Sequence, residues 1–248
     1  MSAESRIRWA VAGLLLGFVA SVVVGAVVVT AGGYDEGVPA AGSAAGRAVM
    51  QLVSGRDFHD GRMPLGLLVV LQVPLWVGLV GAPVVARRSG LRWREQMCWS
   101  MAPIDVPLGL AVGAVTQLVL VPALYVPIFR LFGSADVEEA ARSLVGRAGG
   151  TLDVVALVAI TLVGAPVAEE IMFRGLLHNA LRARSSLRRA TVVSAVLFGV
   201  SHFQVVQFPA LVLVGVIHAL LSARTGRLGT AIWAHVGFNA VTVVALLT

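Results

Sequence analysis

The chain has 248 residues, 58% of them hydrophobic and 13% charged, with a mean hydropathy of +0.88; a soluble domain carries about 25% charged residues. That composition defines a membrane protein and excludes soluble enzymes, disordered tails and disulfide-built secreted scaffolds. All 19 basic residues are arginine and the net charge is +6, but the arginines punctuate apolar runs instead of sharing one surface, so they set membrane topology and exclude a nucleic-acid partner.

Seven apolar runs follow in chain order, at residues 7–31, 64–86, 106–129, 152–181, 190–206, 209–223 and 228–247. The first follows Arg6 and Arg8 and exceeds the usual signal-peptide core of about 7–15 residues, so it reads as an uncleaved span. Gly13 with Gly17 and Gly109 with Gly113 have the small-xxx-small spacing of close helix contacts, read here as packing. The lone Cys98 cannot close an internal bridge and reads as structural. The expected fold is all-α, a polytopic transmembrane helical bundle of about seven spans with an intramembrane polar cavity opening to the cytoplasm. Two regions are expected, an N-terminal transmembrane region at 1–150 with three spans and a second at 151–248 with four.

Arginine counting gives the orientation. Arg6, Arg8, Arg87, Arg88, Arg92, Arg94, Arg182, Arg184, Arg188, Arg189, Arg224 and Arg227 fall on one side of the runs. Arg47, Arg56, Arg62, Arg130, Arg142 and Arg147 fall on the other, beside Asp35, Glu36, Asp57, Asp60, Asp136, Glu138 and Glu139. The richer side is cytoplasmic, which places the N-terminus inside and the C-terminus outside a plasma membrane.

Chemistry begins where the hydrophobicity is interrupted. Glu169, Glu170 and Arg174 lie within the fourth run, where ionisable groups are costly and point to function. Glu170 and Arg174 are four apart, share a helix face and can neutralise each other; Glu169 lies about 100° away and is left as the candidate base. Phe198 with His202, and His235 with Asn239, repeat the four-residue spacing in later runs. Glu170, His202 and Asn239 stand twelve, thirteen and twelve residues from Arg182, Arg189 and Arg227. At 1.5 Å per residue all three reach about 18–20 Å below that edge. His235 lies about one turn nearer to it. Among the remaining polar residues, His218 reads as a packed or interfacial histidine, His178 as part of the cytoplasmic continuation of the fourth helix, and His59 as a loop residue. Asp105 and Asp153 read as span-end groups reached by water, and Trp9, Trp93 and Trp99 as an interfacial belt.

EEIMFR matches EExxxR, FGVSH matches FxxxH and HVGFN matches HxxxN, in that order on successive segments. The ordered triplet resembles the CPBP family of intramembrane proteases, also called Abi or CAAX-protease-like, over about residues 152–245. The resemblance implies an intramembrane endopeptidase that cuts a membrane-associated or prenylated protein or peptide. It makes Glu169 and His202 the pair that activates water, His235 and Asn239 the donors to the oxyanion, and Glu170 with Arg174 a supporting ion pair. The residue types suit that chemistry, since peptide hydrolysis needs a base for water and donors for the developing oxyanion. A metal-free mechanism with no required cofactor ranks first; a metalloendopeptidase-like site holding zinc on the same residues is the alternative. Two other classes compete, a non-catalytic scaffold or bacteriocin-immunity-type protein and a proton- or ion-coupled transporter using Glu170, Arg174 and His202. The arginine-only, Ala/Val/Gly-rich composition fits a bacterial source, and an unidentified membrane or secreted peptide is favoured over a CAAX tail as substrate.

Overall fold

The structure, a computed structural model, describes residues 1–32, 65–133, 135–146, 148 and 150–247. Arg47, Arg56, Arg62, Arg147, Asp35, Glu36, Asp57, Asp60 and His59 lie outside the described residues. The described chain is helical, with no strand: α1 Ala3–Gly32, α2 Leu65–Ala86, α3 Asp105–Phe132, α4 Glu139–Val145, α5 Thr151–Arg182, α6 Leu187–Val200, α7 Phe208–Thr225 and α8 Gly229–Leu247. Six of these, all but α4 and α6, are long and apolar enough to cross a membrane. The all-helical polytopic bundle expected from the apolar runs is what the structure contains.

The fifth expected span is corrected. α6 has 14 residues and ends at Val200, a rise of about 21 Å against a hydrocarbon core of about 30 Å. Residues 201–206 are apolar enough to extend the pattern, yet Phe203 has φ +54° and the chain turns there. An aromatic side chain in the left-handed region cannot continue a right-handed helix. Pro209 in the first turn of α7 starts the return, so α6 and α7 form a helical hairpin. Its turn is fastened by Gln207, whose amide donates to the Val137 carbonyl at 2.8 Å, and by Tyr125, whose hydroxyl donates to the Val206 carbonyl. His202 therefore sits on the turn just beyond α6, not on a transmembrane helix.

Without apolar area to be hidden from water, helices in lipid associate through close contact and polar bonds. Gly13 and Gly17 of α1 lie against Gly78 of α2, with backbone meeting backbone. Gly109 and Gly113 of α3 lie against Ala234 and Gly237 of α8 in the same way. Both small-residue stripes are consumed inside one chain. At the arginine-rich edge, Asp105 starts α3 and is fully buried, not bathed by water as its span-end position suggests. It accepts from Arg227 Nε and Nη2 at 2.9 and 2.6 Å and from Thr230 Oγ1 at 2.7 Å, tying α3 to the α7–α8 junction. Leu15, Leu16, Val19, Val22 and Val23 of α1 remain exposed on the outer surface of the bundle, where lipid covers them.

Gly113→Val should destabilise the protein by about 1–3 kcal/mol through forced overpacking, because a Cβ there meets the Ala234 carbonyl. Gly81→Ala, which meets nothing within 4 Å, should leave stability unchanged or raised. Thermal unfolding of both variants in detergent gives the comparison, and equal midpoints would contradict the packing assignment.

Candidate active site

The charge network starts on α5. Glu170, Arg174 and His218 are fully buried, and His235 is nearly so. Glu170 Oε1 accepts from His218 Nδ1 at 3.0 Å and His235 Nδ1 at 2.9 Å and is ion-paired with Arg174 Nη1 at 3.1 Å. The Arg174 guanidinium also lies 4.3 Å over the Phe198 ring and 3.4 Å from the Gly215 carbonyl. An isolated charge in such a place is expensive; carboxylate, ring face and carbonyl together surround this one with negative potential. The network thereby joins α5, α6, α7 and α8.

The same geometry fixes two imidazoles. A carboxylate can only accept, so His235 Nδ1 carries a proton and donates it, which presents Nε2 to the other side. His202 Nδ1 donates likewise to the Phe198 carbonyl at 2.7 Å, four residues back. Both Nε2 atoms then face Glu169: His202 Nε2 is 3.7 Å and His235 Nε2 3.9 Å from Glu169 Oε2, a buried oxygen with no direct hydrogen bond. Glu169, His202, His235 and Asn239 all line one cavity of about 600 Å³. Glu170 and Arg174 stand behind its wall.

Asn239 is held by a gap in a helix. The turn at Ala159–Gly164 is a π-helix, and the Ala165 amide donates to the Ile160 carbonyl five residues back. The next bond in that register would run from residue 166 to the Thr161 carbonyl, but residue 166 is proline and has no N–H. Asn239 Nδ2 fills the vacant position at 2.7 Å, and its second N–H remains for the cavity. A second π-helical stretch, Ile171–His178, follows Glu170 directly; such bulges concentrate at functional sites. Asn179 closes it by donating to the Arg174 and Gly175 carbonyls at 3.0 and 3.2 Å.

His178 lies on the continuation of the fourth-run helix and His218 is packed, as read from the sequence, but both are engaged more deeply than that reading says. His218 is the second imidazole on Glu170, not an interfacial residue; as a lone histidine in an apolar run, it had no spacing partner to reveal it. His178 is fully buried and its Nε2 lies 3.2 Å from Thr191 Oγ1, so it fastens α5 to α6. The ligand atoms of Glu170, His218 and His235 lie within 4.8 Å of one another, so that group could hold a metal ion by spacing. In the present arrangement Arg174 supplies the positive charge at that carboxylate, and both histidines use Nδ1 as donors to it.

The cavity lies away from the arginine-rich edge toward which it was expected to open. Its lining includes exposed Glu138 and residues of α4, but none from the arginine-rich edge at 87–101, 182–189 or 224–229. It lies toward the arginine-poor side.

An apolar helical bundle enclosing a charged network and a polar-headed cavity defines a multi-pass membrane protein. Residues 151–241, the segment that carries the three motifs, match the family model described as type II CAAX prenyl endopeptidase Rce1-like. The chain is also similar to the Bacillus subtilis (strain 168) protein named "Putative membrane peptidase YdiL", at 31% identity over 91 residues. That match covers 37% of this chain and 37% of the relative, so the chain spans little more than a third of the relative's length. No solved structure matches.

Glu170→Gln should cost about 3–5 kcal/mol, because it strands the Arg174 guanidinium without a counter-charge. Adding Arg174→Met should restore part of the loss, since an apolar replacement of both partners is cheaper than breaking the pair. Glu169→Gln should change stability by less than about 0.5 kcal/mol. Chemical unfolding in mixed micelles tests all three, and equal losses for the two glutamates would contradict the assignment.

Proposed function

We propose that the protein is an intramembrane endopeptidase that hydrolyses a peptide bond of a membrane-associated protein or peptide. The observation that carries this reading is the convergence of Glu169, His202, His235 and Asn239 on one cavity, with both histidine Nε2 atoms facing the same carboxylate oxygen. Their separations of 3.7 and 3.9 Å exceed a direct hydrogen bond and suit a bridging water.

Glu169 takes one proton from that water while His202 Nε2 accepts the hydrogen bond of the other. The hydroxide oxygen bonds to the scissile carbonyl carbon, whose π electrons move to oxygen. The second N–H of Asn239 and the Nε2–H of His235 as imidazolium hold this oxyanion; Glu170 lies at Nδ1 as counter-charge. When the carbonyl re-forms, the C–N bond breaks and the departing amine takes the proton from Glu169. Glu170 and Arg174 orient His235 and do not touch substrate. The family match over residues 151–241 supports the same assignment, with 151–248 as the catalytic region. The arginine distribution supports a plasma-membrane protein with its N-terminus in the cytoplasm.

Purified protein, exhaustively chelated and assayed on a cleavable membrane peptide, should remain active without stoichiometric metal. Loss restored only by zinc would overturn the metal-free mechanism. Glu169→Gln should abolish turnover, and Asn239→Ala should lower it by about 10²–10³-fold, the usual cost of one oxyanion donor. Pro166→Ala, which returns an N–H to compete for the Thr161 carbonyl, should lower turnover in the same direction by less. Comparative proteomics of wild-type and Glu169→Ala cells identifies the substrate, and identical peptide profiles would count against proteolysis.

A further inference from the structure

The cavity walls come mainly from the part of the bundle remote from the arginine-rich edge: α3 from Gln117 onward, α4, α5 from Leu157 to Glu169, the start of α7, α8 from His235 to Val243 and the 201–207 turn, with Gln72 of α2 and Phe198 of α6. Glu138 lines the cavity and is exposed, which locates a mouth beside α4. There Arg142 bridges Asp136 at 3.3 Å and Glu138 at 3.7 Å, all three in contact with solvent. Toward the opposite edge the interior is closed, first by the fully buried Glu170–Arg174 pair and then by the clamp on Asp105. Twelve of the nineteen arginines mark that closed edge as cytoplasmic.

We infer that the protein's substrate enters from the extracytoplasmic side, through the mouth formed by α4, α3 and the α6–α7 turn. The inference rests on the peptidase reading for the word substrate; the direction of access rests on the cavity and the charges alone. The walls are mainly apolar, with Val121, Val126, Phe129, Val145, Leu157 and Ile160 among them; Glu138, Gln204 and Gln207 add polar groups at the mouth, and Glu169, His202, His235 and Asn239 form the polar cluster already described. This lining suits a largely apolar peptide segment that extends inward until one carbonyl meets the polar cluster. The substrate class is therefore a translocated or membrane-inserted peptide presented from outside, not a protein tail delivered from the cytoplasm.

The test uses full-length protein carrying Cys98→Ser, which removes the only native thiol. Glu138→Cys reports the mouth and Ala183→Cys, on the exposed loop between α5 and α6, reports the closed edge. A membrane-impermeant maleimide should label Glu138→Cys in intact cells and Ala183→Cys only after permeabilisation. In the same background, Ala141→Cys in the cavity wall should lose turnover when a bulky impermeant maleimide is added from outside, while labelled Ala183→Cys keeps its turnover. The reverse labelling pattern, labelling of both sites in intact cells, no labelling of Glu138→Cys under either condition, or full turnover after Ala141→Cys is modified would each overturn the inference. Repeating the labelling with Glu169→Gln separates the two readings. Outside labelling without wild-type turnover removes the peptidase but keeps the access route; turnover with inside labelling does the opposite.

Discussion

The arrangement depends on neutralising one guanidinium inside a membrane. Arg174 is fully buried, and no helix alone can solvate it. Glu170 supplies the opposite charge from the preceding turn, but a carboxylate with spare lone pairs is itself unsatisfied in lipid. His218 and His235 donate to its Oε1 from two further helices, and Phe198 adds its ring face to the guanidinium from a third. Four elements must meet at one point for this group to be stable, so the charge that would be a liability specifies the bundle's inner geometry.

The geometry of the candidate site is then a by-product of structural satisfaction. Once His235 Nδ1 is committed to Glu170, its Nε2 is aimed at the cavity; once His202 Nδ1 is committed to Phe198, its Nε2 is aimed at the same place. Asn239 is fixed by the carbonyl that Pro166 leaves free. None of these side chains depends on substrate for its orientation, which is the preorganisation that electrostatic catalysis requires. Glu169 Oε2 lacks a direct hydrogen-bond partner and lines the cavity, as a group reserved for water should.

The polar motifs were legible because the membrane makes polarity conspicuous. Glu169, Glu170, Arg174, His202, His235 and Asn239 stand out against apolar runs, and their common distance from arginines anticipates one cluster. His218 did not, since its partner Glu170 is 48 residues away and no helical period connects them. The end of α6 was also illegible, because Phe203, Val205 and Val206 carry apolar character past Val200 and only the backbone at Phe203 shows that the helix has stopped. The opening side of the cavity is a property of how α3, α4, α5 and α8 diverge, and arginine counting carries no information about it. Pro166 was a readable signal, but its meaning required knowing that the preceding turn is π-helical.

The central claim is that Glu170 and the Phe198 carbonyl fix the two imidazoles so that both Nε2 atoms face Glu169. Nitrogen-15 NMR of histidine-labelled protein in lipid, with His202 and His235 assigned by substitution, reads this without any substrate. A protonated Nδ1 is expected on both rings, because each donates to an oxygen that only accepts. An unprotonated Nδ1 on either ring would contradict it.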